Sequence, residues 1–257
     1  MITSTQNPKL KLARSLMGRP KERQSAGAFV AEGVRLVEEA LAAGWPIRYG
    51  LYSPGLGERG LGLVKKLEAQ GCDVEQVSDV LLNSISETEN SQGLLAVLDY
   101  FPLALPQPLN FALIADSIRD PGNLGMLLRT ATAAGVQGVL LPPETTDAFA
   151  PKVLRAGMGA HFRLPILALS WEEIQMTTKS LTIYLADMQG SPCWQTIFSL
   201  PLALIVGGEA EGASEKASQL ADGKVSVPMP GKVESLNAGV AGAILMFEVV
   251  RQRNWGN

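Results

Sequence analysis

The chain has 257 residues, 46% of them hydrophobic, and a formal net charge of −3. Such a length buries one large core or two modest ones, and at the usual ~100–200 residues per domain two are expected. Two isolated cysteines, Cys72 and Cys193, and a single histidine, His161, argue against a disulfide framework, a zinc or other metal site and a histidine-based nucleophilic pair.

The opening residues, MITSTQNPKLKLARSL, lack an apolar run long enough for a signal peptide, and the most apolar later run is broken by Asn237 and Glu248. A soluble cytoplasmic protein with no membrane partner is the expectation. Residues 1–23 carry Lys9, Lys11, Arg14, Arg19, Lys21 and Arg23 against Glu22 alone. This basic arm on a mildly acidic body reads equally as a solvated, partly helical N-terminus or as a phosphate-contacting surface.

Short strands are predicted at 29–33, 47–53, 72–78 and 94–100, with helical segments around 34–43, 61–70 and 79–84 between them. They make a small α/β domain over 1–100. Pro102, Pro106 and Pro108 in 101-FPLALPQPLN-110 deny donors to a central strand and favour an extended linker there. Beyond it, 111–116, 138–142, 162–169, 181–187, 202–208 and 224–229 are near-continuous apolar runs, each followed by helical pattern. Strands buried on both faces read this way, so a mostly parallel sheet with helices on each side is expected over 111–257. Ligands of such sheets sit beyond the carboxyl ends of the strands.

Three clusters fall at or near such ends. In 111-FALIADSIRDPGNLGMLLRTATAAGV-136, Asn123 stands where a helix N-cap belongs, and Gly135 closes the helix. Leu124, Leu127, Leu128 and Ala131 form its sheet-facing stripe, and Arg129 lies off that stripe. Taken alone, Asn123 reads equally as a plain cap and Arg129 as a surface ion-pair partner.

In 205-IVGGEAEGAS-214, Gly207 and Gly208 let a ligand approach the backbone closely, and a helix is expected from about Ser214. A tight turn with an exposed Glu209 is the other reading. In 225-VSVPMPGKVESLNAGVAGAILMFEVVRQR-253, Pro228 and Pro230 force an irregular loop. A helix apolar on nearly every face follows from Leu236 to Val250, so a partner subunit is expected to cover it. Ser235 reads as a helix cap, and Gly239 and Gly242 as close-packing sites. Asn237 enters that apolar helix, and because a buried amide without partners costs about 1–3 kcal/mol, it is expected to bond something specific.

The order D-x-x-N-x-G-x-x-x-R-T-A, G-x-E-x-x-G and V-P-M-x-G-x-x-x-S-L-N resembles the SPOUT superfamily in its TrmH (SpoU) branch of RNA ribose 2′-O-methyltransferases. The segments ITSTQNPKLKLARSL, FVAEGVRLVEEAL and SETENSQGLLAVL resemble the substrate-binding domain that often precedes the catalytic one. The resemblance implies a catalytic pocket of Arg129, Asn123, Glu209, Ser235 and Asn237. It places S-adenosylmethionine against the backbone of Gly207, Val227 and Leu236, with Gly208, Met229 and Gly231 shaping the cleft. It further implies a C-terminal trefoil knot and a homodimer through the methyltransferase domain; periodicity alone would not suggest a knot. The family pattern has Val-Ser where this chain has Ala238-Gly239, a departure expected to bear on the last helix.

The implied reaction is an in-line methyl transfer from a sulfonium to a ribose hydroxyl, which demands close placement of the 2′-oxygen and removal of its proton. The resemblance assigns that proton to Arg129, yet a guanidinium with a pKa above about 12 is a poor base. Two routes stay open: deprotonation of Arg129 on engaging a substrate phosphate, or a cationic Arg129 that stabilises the alkoxide while the proton leaves elsewhere. RNA contacts are expected from Lys9, Lys11, Arg14 and Arg35, with Arg48 as a further phosphate contact, and ribosomal RNA is favoured over transfer RNA by analogy with two-domain ribosomal modifiers. The rivals are a transfer-RNA methyltransferase and a noncatalytic RNA-binding protein on the same scaffold. A dinucleotide-binding enzyme would need GxGxxG after the first strand of the sheet, where 116-DSIRDPGNLG-125 stands instead.

Overall fold

The computed structural model describes residues 1–87, 91–199, 201–209, 212–231 and 234–255. Motif positions 210–211 and 232–233 lie outside the described residues. Two compact units result, Met1–Phe101 with Phe149–Phe162, and Pro102–Ala148 with Arg163–Asn257.

In the first unit, Asn7 caps helix α1 (Pro8–Gly18) by accepting from the Lys9 amide at 2.9 Å. Leu10, Ala13, Leu16 and Met17 form its buried stripe. Helix α2 (Pro20–Ala26) ends at Gly27, whose φ of +58° is one that a glycine adopts without strain. The basic N-terminal segment is therefore two helices packed on a core rather than a free arm, and Arg23 is buried with Nη1 donating to the Leu16 carbonyl at 2.6 Å.

There follow β1 (Ala28–Glu32), α3 (Val34–Ala42), β2 (Ile47–Tyr52), α4 (Glu58–Ala69), β3 (Asp73–Gln76), α5 (Asp79–Asn83) and β4 (Leu94–Asp99), within two residues of the expected elements at most bounds. The sheet order is β1-β4-β2-β3, mixed in direction. Segment 149–162 belongs here and not, as expected from the linear boundary, with the later residues. Its reason is aromatic: Phe149 packs on Phe29 and Tyr100, with ring centroids 4.9 and 4.8 Å apart, and Phe162 on Trp45 at 5.2 Å.

The second unit contains β5 (Phe111–Ala115), α6 (Pro121–Ala133) and β6 (Gly138–Leu141). After α7 (Pro151–Gly157) of the first unit come β7 (Ile166–Ala168), α8 (Trp171–Thr178), β8 (Thr182–Pro192), β9 (Leu202–Val206), α9 (Glu215–Leu220), β10 (Gly223–Ser226) and α10 (Ala238–Trp255). The six strands run parallel in the order β10-β8-β9-β5-β6-β7. The central β5 and β9 are buried at every residue, which accounts for their unbroken apolar runs.

Two strands depart from expectation. The run 162–169 is a strand only at Ile166–Ala168, because Ala160–Phe162 form a 3₁₀ turn. β8 extends to Pro192, but its pairing with β10 breaks. Tyr184 and Leu185 face Gly223 and Lys224, after which Ser191 and Pro192 face Val225 and Ser226. Residues 186–190 leave that ladder at the carboxyl end of the sheet.

Candidate active site

Asp120, and not Asn123, is the cap of α6: its Oδ1 accepts from the Asn123 amide at 2.9 Å. The sequence pattern misplaced the cap by one turn, because Asp and Asn are both strong caps and the Pro-Gly pair between them obscured the first helical residue. The shift has a consequence for the site. Asn123 lies inside the helix, its side chain released from capping, and it joins two other loops. Its Nδ2 donates to Glu209 Oε1 after β9, and its Oδ1 accepts from Asn237 Nδ2 at 2.8 Å.

Asn237 is itself the cap that was expected of Ser235. Its Oδ1 accepts from the Val240 amide at 3.2 Å and its carbonyl from the Ala241 amide at 2.9 Å, so α10 begins at Ala238 rather than Leu236. Asn237 is exposed, at the mouth of the helix and not within its apolar body. It nevertheless has a specific partner, Asn123, where the sequence called only for some partner.

The amide orientations follow without ambiguity. Because Asn237 Oδ1 must face the Val240 donor, Nδ2 faces Asn123; Asn123 must then present Oδ1 to Asn237 and Nδ2 to Glu209. Glu209 receives the last hydrogen bond of a one-way chain.

The turn carrying Glu209 is braced from below. Asp116, buried to 1% exposure, accepts from the Ser214 amide at 2.6 Å, and Ser214 caps α9. A Cβ added to Gly207 would lie 2.5 Å from the Ala213 nitrogen, and one added to Gly208 would lie 2.5 Å from the Ser117 carbonyl oxygen. These two glycines thus admit neighbouring backbone, not only a ligand as expected. Gly239 and Gly242 do pack closely, with added Cβ atoms 2.2 Å from Met126 Cε and 2.5 Å from Leu127 Cδ2. At the position where the family pattern has Ser, Gly239 therefore seats Met126 of α6.

A cavity of about 530 Å³ opens where β8, β9 and β10 end. Gly207, Gly208 and Glu209 of the second cluster and Val227, Met229, Ser235 and Leu236 of the third line it, whereas Asn123 and Asn237 stand beside it and are not among the lining residues. Gly231 is exposed and is not among the lining residues. Sequence reasoning missed Ala186, Asp187 and Met188, which come from the excursion of β8, and Ala241 and Leu245 of α10. The rule that ligands meet parallel strands at their carboxyl ends could have found Asp187, the last residue of its predicted strand.

Asp187, Glu209 and Glu234 give the wall three carboxylates, and no lysine or arginine is among the described lining residues. Lys224 donates to Asp187 Oδ2 at 2.7 Å, and this bond, with that from the Gln189 amide, holds the Asp187 carboxyl below the usual range. A cavity of this size with acidic and apolar walls fits a ligand bearing a cation beside apolar parts, which is the chemistry of a sulfonium cofactor.

Arg129 is exposed on α6 and does not line the cavity. Among the described residues it has no hydrogen-bond or ion-pair partner. In the first unit, Lys9 is drawn into an ion-pair cluster with Asp73 and Glu75 and lies 5.6 Å from the Tyr49 ring centroid. Arg14 donates to Ser84 Oγ at 3.1 Å, Arg48 pairs with Asp99, and Lys11 and Arg35 are exposed.

Residues 110–247 match the SpoU rRNA Methylase family, and residues 7–96 match the MRM3-like substrate binding domain. The chain is 33% identical to the 23S rRNA (guanosine(2553)-2'-O)-methyltransferase RlmP of Bacillus subtilis, over 96% of this chain and 98% of that protein. Among solved structures, the SpoU methyltransferase AviRb from Streptomyces viridochromogenes, in complex with the cofactor AdoMet, superposes with a TM-score of 0.87 at 27% identity, covering 98% of this chain and all of that one. The AdoMet-bound rRNA methyltransferase from Sinorhizobium meliloti gives a TM-score of 0.86 at 31% identity, over 98% and 97% of the two chains.

Proposed function

Because the chain belongs to the SpoU rRNA methylase family, we propose that it transfers the methyl group of S-adenosylmethionine to a ribose 2′-hydroxyl of ribosomal RNA. One observation carries the reading: Asn123, Glu209 and Asn237, from three distant segments, are bonded together beside an acidic cavity at the carboxyl end of the parallel sheet.

When bound, the cofactor supplies an electrophilic methyl carbon on a cationic sulfur. Gly207, Val227 and Leu236 would hold it along their backbone, and the carboxylates of Asp187, Glu209 and Glu234 would favour its charge. Arg129, solvent-facing and unpaired among the described residues, is free to engage an RNA phosphate and to stabilise the developing alkoxide as a fixed cation.

The first unit serves as the RNA-holding domain, its match to a substrate-binding family being the support. Lys11, Arg14 and Arg35 are its exposed contacts, Arg14 while donating to Ser84 Oγ, whereas Lys9 is held by Asp73 and Glu75. The second unit pairs with a second copy through α10, on which Val240 and Phe247 are 39% and 48% exposed. Its C-terminal segments form the trefoil knot of the family, in keeping with the backbone approach of Gly208 to Ser117. The enzyme works in the cytoplasm; among the described residues no helix is long and apolar enough to cross a membrane.

The test is transfer of labelled methyl from S-adenosylmethionine to unmodified 23S ribosomal RNA and to transfer RNA. The modified nucleotide is mapped by its resistance to alkaline cleavage. Label confined to transfer RNA, or to a base, would overturn the reading.

A further inference from the structure

The chain of amides beside the cavity ends on a carboxylate with one oxygen occupied. Glu209 Oε1 accepts from Asn123 Nδ2, while Oε2 has no hydrogen-bond partner among the described residues. Glu209 is exposed and lines the cavity. Its orientation is set from behind, through Asn123 and Asn237, by the Val240 amide at the start of α10. Every member of that chain points its donor toward Glu209, so the residue can only accept there.

Resting on the methyltransfer reading, we propose that Oε2 of Glu209 is the acceptor of the 2′-hydroxyl proton, with Arg129 remaining cationic throughout. As the bond from the 2′-oxygen to the methyl carbon forms, the carbon–sulfur bond breaks and its electron pair stays on sulfur. The hydroxyl proton becomes strongly acidic as its oxygen gives up electron density, so a carboxylate suffices where a guanidinium would not. The proton passes to Glu209 Oε2 and then to solvent, which reaches this exposed side chain. The products are a methyl ether, a neutral thioether and one released proton, and charge balances.

The other acids of the region are less suited. Asp116 is buried beneath the turn and bonded to the Ser214 amide, Asp120 caps α6, and Asp187 is tied to Lys224 and the Gln189 amide. Glu234 lines the cavity, but no hydrogen bond among the described residues fixes its orientation.

The experiment compares native enzyme with E209Q, using 23S ribosomal RNA transcribed in vitro. Glutamine can still accept from Asn123 through its carbonyl but offers an amide donor in place of Oε2. Single-turnover methyl transfer is expected to slow by about 10²–10³-fold, while the S-adenosylmethionine Kd by calorimetry rises by less than tenfold because Asp187 and Glu234 still face the cofactor's charge. For a variant that does not depend on how glutamine packs, E209A should regain rate in proportion to added formate. A tenfold or smaller loss in E209Q, a Kd raised tenfold or more, or formate without effect on E209A would overturn the assignment. Native enzyme inert on every RNA would overturn the methyltransfer reading with it, whereas active native enzyme with active E209Q overturns only the role of Glu209.

Discussion

Asn237 Nδ2 donates to Asn123 Oδ1 across 2.8 Å, joining the first turns of α10 and α6 over 114 residues of chain. The same side chain caps α10 through its Oδ1. Asn237→Ala removes both bonds, and a lost cap with a lost side-chain hydrogen bond should cost about 1–2 kcal/mol. Asn237→Asp keeps the cap but places an acceptor against Asn123 Oδ1. Urea denaturation should find the aspartate variant the more stable of the two, with methyl transfer depressed in both. Full activity in the aspartate variant would detach the amide chain from function.

Gly208→Ala tests the crossing beneath the site. The new Cβ would lie 2.5 Å from the Ser117 carbonyl oxygen, and backbone on both sides cannot yield as a flexible side chain would. Overpacking of this kind costs about 1–3 kcal/mol. Because Gly208 and Glu209 share the turn, the denaturation midpoint and the cofactor affinity should fall together. Gly231→Ala, with nothing within 4 Å of its added Cβ, should leave the midpoint unchanged.

The parallel sheet was legible because β5 and β9 are buried on both faces and left continuous apolar runs. The site was legible in part for a different reason. A polar Asn237 ahead of an apolar helix needs a partner, and its partner is Asn123. What stayed hidden depends on distance along the chain. The carboxyl-end rule points to Asp187, but no local pattern reveals that β8 leaves its ladder with β10 at 186–190 and so adds Ala186 and Met188 to the cavity wall. Nor could a linear boundary show that Phe149 and Phe162 complete the aromatic cluster around Phe29. Lys9 looked like a phosphate contact because its partners, Asp73 and Glu75, are more than sixty residues away.

Acid should weaken the cavity wall. The hydrogen bond from Lys224, and after it the one from the Gln189 amide, hold the folded Asp187 carboxyl below its ordinary value. A depressed carboxyl contributes stability that is present above the unfolded value of about 3.9 and disappears as pH falls through the folded one. For a partly exposed pair the contribution is at most about 1 kcal/mol. Thermal melts of native protein and Lys224→Met should therefore differ by a constant amount from pH 7 to 5 and converge below about pH 4. A difference that grows toward low pH would have the wrong sign for this pair.

Arg129 carries no structural duty among the described residues, so its removal separates chemistry from folding. Arg129→Ala should change stability by no more than about 0.5 kcal/mol, as surface substitutions do. Cofactor affinity should stay within twofold, while methyl transfer becomes undetectable. Arg129→Lys preserves a cation without the planar fork that grips phosphate, and should recover only a small part of the rate. Activity above a few per cent in the alanine variant would remove Arg129 from the catalytic set.

The last helix predicts an assembly. α10 is apolar almost all round, yet its sheet-facing side, with Leu245, Met246 and Val249, is already buried. Val240 and Phe247 stand seven residues apart on the outer face, two turns along one stripe, and Phe247 is 48% exposed. A large aromatic left in water forgoes roughly 1.5–3 kcal/mol of burial, which a second copy across a twofold axis would recover twice. Light scattering on the native chain should give twice the monomer mass. Phe247→Glu should give the monomer mass, because like charges then meet across the axis. Should the glutamate variant remain a dimer, α10 is not the contact; should the native chain be monomeric at micromolar concentration, the stripe is covered by something other than its own kind.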